Sequence, residues 1–177
     1  SLAHAFEAPS PMTRNRYTVR VTKDTLVFSS GHFITYDGDH CERIHGHNYR
    51  VAVEVEDELD ANAYVFDFIT LKEVVREVTD RLDHRMLLST ENPLIRLVED
   101  GPNIKAIYKD RYWSFPREEV VLLPIANTTA ELLGDYLGRQ IRAELERRGL
   151  AIPRRMRVEV EECFGQVAAC EWSRDES

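Results

Sequence analysis

Two stretches of the chain alternate strictly between apolar and polar residues. Tyr17, Val19 and Val21 oppose Thr18, Arg20 and Thr22, and Tyr49, Val51, Val53 and Val55 oppose Arg50, Ala52, Glu54 and Glu56. A period of two marks a strand with one buried face. The first strand is expected to continue, after a turn or bulge near Lys23-Asp24, through Leu26 and Phe28. Residues 34–44 read as a loop with Asp37-Gly38-Asp39 as its turn signal, so the two strands are expected to pair as an antiparallel hairpin. From Thr70 to Leu82 the spacing becomes helical, with Leu71, Val74, Val75, Val78 and Leu82 in one stripe and Thr70 with Glu73 as a capping box. A second helix is expected from Thr128 to Arg148. Its stripe is Leu132, Leu133, Tyr136, Leu137, Ile141 and Leu145; Thr128 with Glu131 is its capping box, and Gly149 its stop.

Between the helices, residues 94–123 read as extra strands, and Ile104–Tyr108 and Tyr112–Phe115 flank Lys109-Asp110 as a tight hairpin. The last expected strand carries Met156, Val158 and Val160 on its apolar face. The order predicts an α+β fold, an antiparallel sheet with two helices on one face and an added hairpin insert at about 91–122. Residues 1–15 hold Pro9, Pro11 and small residues but no apolar run, and read as a flexible arm before a single domain at 16–177.

Composition narrows the function classes. The chain has 177 residues, 43% of them apolar and 31% charged, an ordinary globular balance. A formal charge of -8 excludes the basic field of a general nucleic-acid binder. No stretch approaches the ~18 apolar residues of a membrane span. Cys41, Cys163 and Cys170 are odd in number and form no C-x-x-C pair, which argues against a disulfide framework and for a reducing, cytoplasmic setting.

The chemistry concentrates in residues 28–49, which hold four of the six histidines. His45 and His47 are two apart and share the parity of Tyr49 and Val51, while His32 shares that of Phe28 on the partner strand. Closing the hairpin brings three imidazoles together. Such a neutral set suits Zn²⁺ and leaves a fourth position open, as catalytic sites do. Two other readings stay open: histidines that only make hydrogen bonds, and a closed structural site with Cys41 as fourth ligand. His40 and His4 read as solvated loop residues.

Candidate acid–base groups surround this set. A nearby cation lowers the pKa of a thiol, so Cys41 can supply a thiolate base, or it can be a small packing residue. Asp83 can orient and charge-stabilise His84 at the end of the first helix; the alternative is a histidine that satisfies helix carbonyls. Glu162 continues the parity of Met156, Val158 and Val160. A carboxylate there can bind a guanidine-like edge through two parallel N–H donors, or can already have reached solvent.

These residues resemble the 6-pyruvoyl-tetrahydropterin synthase and 6-carboxytetrahydropterin synthase family. The resemblance rests on S-G-H-F around His32, C-E-R-I-H-G-H-N-Y from Cys41, V-F-D-F-I-T-L-K from Val65, L-D-H ending at His84, N-T-T-A-E from Asn127 and V-E-V-E-E-C ending at Cys163. It implies a T-fold (tunnelling fold) whose trimers close into barrels and stack as a homo-hexamer, with active sites between subunits. It implies zinc on His32, His45 and His47, proton transfer by Cys41, Asp83 and His84, and a pterin ring anchored by Glu162 with Thr128 and Thr129 lining the pocket. The implied reaction converts 7,8-dihydroneopterin triphosphate to 6-carboxy-5,6,7,8-tetrahydropterin, with release of acetaldehyde and triphosphate, in 7-deazaguanine (queuosine) synthesis. The pyruvoyl-forming branch, folate-branch side-chain cleavage and a non-catalytic pterin- or metal-binding oligomer are the alternatives.

Three departures from the family pattern qualify the product and the pocket. Glu42 follows Cys41, and relatives with a glutamate there cleave dihydroneopterin-type side chains, so Glu42 is an alternative acid or base. N-T-T-A-E-L stands where N-P-T-[AS]-E-N is usual, and Cys163 follows Glu162 where the family has Thr. The aromatic-rich segment with Tyr108, Tyr112, Trp113 and Phe115 is longer than in compact members, and reads as hairpin packing in preference to a substrate lid.

Overall fold

A computed structural model describes residues 15–176. The arm expected over residues 1–15 therefore lies, up to residue 14, outside the described residues, as does His4. In chain order the elements are β1 (Tyr17–His32), β2 (Thr35–Tyr36), β3 (His40–Cys41), β4 (His45–Asp57), α1 (Phe68–Asp80), β5 (Arg85–Ser89), β6 (Arg96–Asp100), β7 (Asn103–Tyr108), β8 (Arg111–Pro116), β9 (Val120–Leu123), α2 (Ala130–Arg147), β10 (Arg155–Cys163) and β11 (Gln166–Ser173). Among the described residues no helix is long and apolar enough to cross a membrane.

The main sheet has the order β11-β10-β4-β1-β5-β9. Strands β1, β4, β10 and β11 pair antiparallel, but β5 runs parallel to both β1 and β9. The sheet is thus mixed, which corrects the antiparallel expectation. The reason is visible in β5, where Met86, Leu87, Leu88 and Ser89 are all buried. A strand covered on both faces shows no alternation and leaves no period-two signal. Strand β11 escaped prediction for a different reason. Its inward residues Ala168, Cys170 and Trp172 are only half-buried, and its apolar contrast is weak.

Both helices cover one face of the sheet. Leu71, Val74, Val75 and Val78 of α1 and Leu133, Leu137, Ile141 and Leu145 of α2 pack onto Phe28, Tyr49, Val51, Val53, Val158 and Val160. Each such side chain stabilises the fold by about 1.5–3 kcal/mol relative to exposure. The caps differ from expectation. Helix α1 begins two residues before Thr70, because the Asp67 carboxylate accepts from the backbone N–H groups of Ile69 and Thr70. Helix α2 is capped by Thr129, one residue after the expected Thr128. In both cases a neighbouring side chain of equal capping ability stands in the better position.

The expected hairpin forms as β7 and β8 and gains β6 as a third antiparallel strand. This small sheet packs on the opposite side of β5. Leu87 belongs to the helix-side core, whereas Met86 and Leu88 meet Phe33, Ile104 and Ala106 in a second core. Trp113 stacks on Phe33 with ring centroids 4.5 Å apart, which agrees with packing as the role of the aromatic segment.

A charged group, Glu144, is buried in the helix layer. Glu144 accepts from Arg147, Arg148 and Arg81, and these hold its carboxyl down to about 2. A depressed carboxylate contributes stability that is complete above its ordinary value of 4.5 and disappears as pH falls towards 2. Replacing Glu144 with Gln is expected to lower the urea midpoint at pH 7, and the gap to the parent protein should close between pH 4.5 and 2. A gap constant across that range would refute this role.

Candidate metal centre

The β1–β4 register assembles the site. Phe28 lies opposite Tyr49, Ser30 opposite His47 and His32 opposite His45, so these six share one face. The glycines between the histidines permit close strand approach. A Cβ on Gly46 would stand 3.0 Å from the Ser30 carbonyl oxygen. The ring centroids of His32 lie 4.7 Å from His45 and 5.2 Å from His47, and His45 and His47 are 4.9 Å apart.

The orientation of two rings is fixed by carbonyls. His32 Nδ1 lies 3.0 Å from the Thr128 carbonyl oxygen and 3.2 Å from its Oγ1. His45 Nδ1 lies 2.9 Å from the Arg43 carbonyl oxygen. A carbonyl only accepts, so Nδ1 carries the proton in each ring and Nε2 keeps its lone pair. Both His32 Nε2 and His47 Nε2 are buried without a hydrogen-bond partner among the described residues. His32 is 1% exposed, and burial, with smaller contributions from His45 and His47 and against the Thr128 hydrogen bond, lowers its pKa to about 4. It is neutral at pH 7 and ready to donate a lone pair.

Glu162 completes the set. Glu162 continues the inward face of Met156, Val158 and Val160 on β10, and its carboxylate lies 3.0 Å from His47 Nε2. The two atoms approach without hydrogen-bond alignment. One ligand atom from each of His32, His45, His47 and Glu162 lies within 4.8 Å of the others. Ligands on one ion at about 2.1 Å stand at most about 4.2 Å apart, so small side-chain movements bring all four into range. Unpartnered buried nitrogens beside a carboxylate fit a divalent cation. Cys41 is not in this set, which removes the closed site with a thiolate as fourth ligand.

The neighbouring acid–base candidates separate. Glu42 accepts from the Ile34 N–H, and its Oε2 lies 4.0 Å from His45 Nε2. Cys41 instead packs against the second core, and its sulfur donates weakly to the Glu42 carbonyl. Burial raises the thiol pKa, partly countered by the Arg111 guanidinium, which also donates to the Cys41 carbonyl. Asp83 accepts from the Ser29 N–H at 2.7 Å and bonds His84 Nδ1 at 2.8 Å, and the Ser29 bond is the main cause of its lowered pKa. His84 adopts φ +54° and is held by a 2.7 Å bond from its N–H to the Ser29 carbonyl. Its side chain is 82% exposed and lines an open cavity of about 500 Å³ with Gly31, Gly46, Asn48 and Glu119. Within one chain His84 is not part of the imidazole cluster.

Thr128 therefore positions His32 from behind, and Thr129 caps α2. Sequence reasoning passed over Tyr49, taken only as an apolar strand residue. Its ring lies 5.4 Å from that of His47 and 5.8 Å from that of His32, and its buried hydroxyl has no partner among the described residues. Its place two residues after His47, on the same strand face, was the available signal.

The sequence profile described as 6-pyruvoyl tetrahydropterin synthase matches residues 20–172. The chain belongs to the 6-pyruvoyl tetrahydropterin synthase family. A relative from Pyrococcus horikoshii, named putative 6-carboxy-5,6,7,8-tetrahydropterin synthase, is 40% identical over 119 residues, covering 66% of this chain and 70% of its own. A Pyrococcus furiosus relative, named dihydroneopterin monophosphate aldolase, is 48% identical over 46 residues, 26% of this chain and 40% of its own. A solved Plasmodium vivax 6-pyruvoyltetrahydropterin synthase, with a catalytic glutamate replaced by alanine, superposes with TM-score 0.84 at 29% identity. That likeness spans 90% of this chain and 99% of the other. The shared architecture is the α+β T-fold, and the family context makes the chain a pterin lyase.

Metal loading should stabilise the fold by mass action. A divalent ion at a hundredfold excess over its Kd contributes about 2.7 kcal/mol, which for this size raises Tm by about 5–10 °C. Chelation should reverse the shift, and His45→Ala should abolish it. An equal shift in that variant would place the ion elsewhere.

Proposed function

We propose that this protein is a zinc-dependent lyase that converts 7,8-dihydroneopterin triphosphate to 6-carboxy-5,6,7,8-tetrahydropterin. The observation that carries this reading is the convergence of three imidazoles, two with unpartnered buried Nε2 atoms, with Glu42 beside them. An all-nitrogen histidine set favours Zn²⁺ among available divalent ions. When bound, the ion polarises the oxygens of the substrate side chain and makes its hydroxyls more acidic.

The chain's own groups then move the protons. Cys41 or Glu42 removes one from the side chain, and His84, held by Asp83, delivers or accepts another. Because His84 lies outside the cluster of its own chain, it serves the centre of a neighbouring copy. Sites between subunits of a homo-hexamer satisfy that requirement. Glu162 holds the guanidine-like edge of the pterin through paired N–H donors, with Thr128 and Thr129 at the pocket wall. The 6-carboxy product follows the name of the Pyrococcus horikoshii relative.

One observation favours a second reading. Glu42 faces the cluster while Cys41 is turned into a core. With Glu42 as the base, retro-aldol cleavage would leave a hydroxymethyl pterin. The Pyrococcus furiosus relative is named for an aldolase, and the Plasmodium vivax neighbour works with a catalytic glutamate.

Incubating zinc-loaded protein with 7,8-dihydroneopterin triphosphate and identifying products by mass separates the two. Acetaldehyde with a carboxylated pterin is expected, and Cys41→Ala should cost at least about 10²-fold in rate while zinc stays bound. A hydroxymethyl pterin, lost in Glu42→Gln but not in Cys41→Ala, would select the second reading. No consumption by a zinc-occupied oligomer would leave a non-catalytic binding protein.

A further inference from the structure

The placement of Glu162 is more than a pterin anchor requires. An anchor for the far edge of a ring has no need to touch a metal ligand. Yet Glu162 Oε1 lies 3.0 Å from His47 Nε2, with both groups largely shielded from solvent. A neutral imidazole with its N–H on Nε2 would point that hydrogen at a carboxylate so close. The pair lacks this alignment, and His47 Nε2 remains without a hydrogen-bond partner among the described residues. Two lone-pair atoms side by side are the arrangement of ligands that share a cation.

The backbone supports the same reading. β10 keeps regular antiparallel register with β4 from Arg155 to Glu161, opposite Glu56 to Arg50. The irregularity against β11 falls at Glu162, between Glu161 and Cys163. Such irregularities are frequent beside functional sites. Glu162 keeps the inward parity of Val158 and Val160, so its carboxylate lies on the imidazole face where the ladder to β11 is interrupted, and Cys163 and Phe164 beyond it are exposed.

We infer that Glu162 is a displaceable fourth metal ligand, which closes the three-histidine centre at rest and leaves the ion when a pterin engages the same carboxylate. One group thereby couples ring binding to opening of the coordination position. The charge balance is favourable in both states. A divalent ion on three neutral imidazoles gains an anionic partner at rest. When the pterin arrives, its N–H donors satisfy the carboxylate instead, which would leave the three imidazoles to hold the ion.

This inference rests on the metal reading above, and its test does not require turnover. The apo oligomer is loaded with Co²⁺, whose visible absorption reports ligand number and type, and Zn²⁺ affinity is measured by chelator competition. Glu162→Gln is expected to weaken Zn²⁺ binding at least about tenfold and to change the Co²⁺ bands, since even outer-shell changes cost 10–100-fold. Glu162→Asp keeps the charge but shortens the reach, and should show the same loss. Adding 7,8-dihydroneopterin should shift the parent's bands but leave those of Glu162→Gln unchanged. Unaltered affinity and bands in Glu162→Gln, or full retention of both in Glu162→Asp, would overturn direct ligation while leaving the three-histidine centre intact. Failure of the parent protein to bind either ion would instead sink the metal reading itself.

Discussion

The site depends on the phase of one strand. In β1 the inward residues are odd-numbered at Val19 and Val21 but even-numbered at Leu26, Phe28, Ser30 and His32. The register shift between Thr22 and Val27 inserts an odd number of extra residues against β4 and exchanges the faces. Without that exchange His32 would stand on the outer face with Arg20 and Thr22, because a strand's side chains alternate with a period of two. The bulge near Lys23-Asp24 is therefore the element that lets His32 meet His45 and His47.

Once the rings share a face, their hydrogen bonds determine what they can bind. Carbonyls at Thr128 and Arg43 hold the protons of His32 and His45 on Nδ1. Burial keeps His32 neutral, and the cluster presents lone pairs where an ordinary polar site would present satisfied donors. Desolvating unpaired nitrogens costs free energy in the empty protein, and a bound cation recovers it. The Thr128 contact also ties the site to the start of α2, since the next residue, Thr129, is the helix cap. The helix layer and the centre are thus built on adjacent residues, and the α2 packing that stabilises the fold also fixes the back of His32.

What could be read from the sequence follows from which features leave a local signature. The β1–β4 hairpin and both helix stripes are amphipathic, and their periods predicted them. The three histidines were legible because parity alone places His45 and His47 on one face. Glu162 was visible as a carboxylate ending an apolar strand face, but its contact with His47 depends on the pairing of β10 with β4, which no period reveals. The parallel strand β5 was not recognised because burial on both faces erases alternation. Cap positions slipped because Asp67 competes with Thr70, and Thr129 with Thr128, for equivalent roles. Tyr49 was masked by its apolar neighbours, since a phenol in a strand reads as core until its hydroxyl is seen to lack a partner.

The adjacent Cys41 and Glu42 show why two sequence signatures need not be two working groups. Neighbouring residues on an extended chain point to opposite sides. Here one side is the second core, made by Phe33, Met86 and the small three-stranded sheet, and the other is the imidazole cluster. Cys41 packs with the first, and Arg111 of β8 grips its carbonyl. Glu42 takes the second, pinned by reciprocal bonds with the backbone of Ile34. For the thiol to act on a ligand at the cluster, the β2–β3 turn would have to rotate against those bonds and against the Phe33–Trp113 stack. The three-stranded sheet, remote from the chemistry in sequence, is consequently the part of the fold that biases which of the two groups faces the centre.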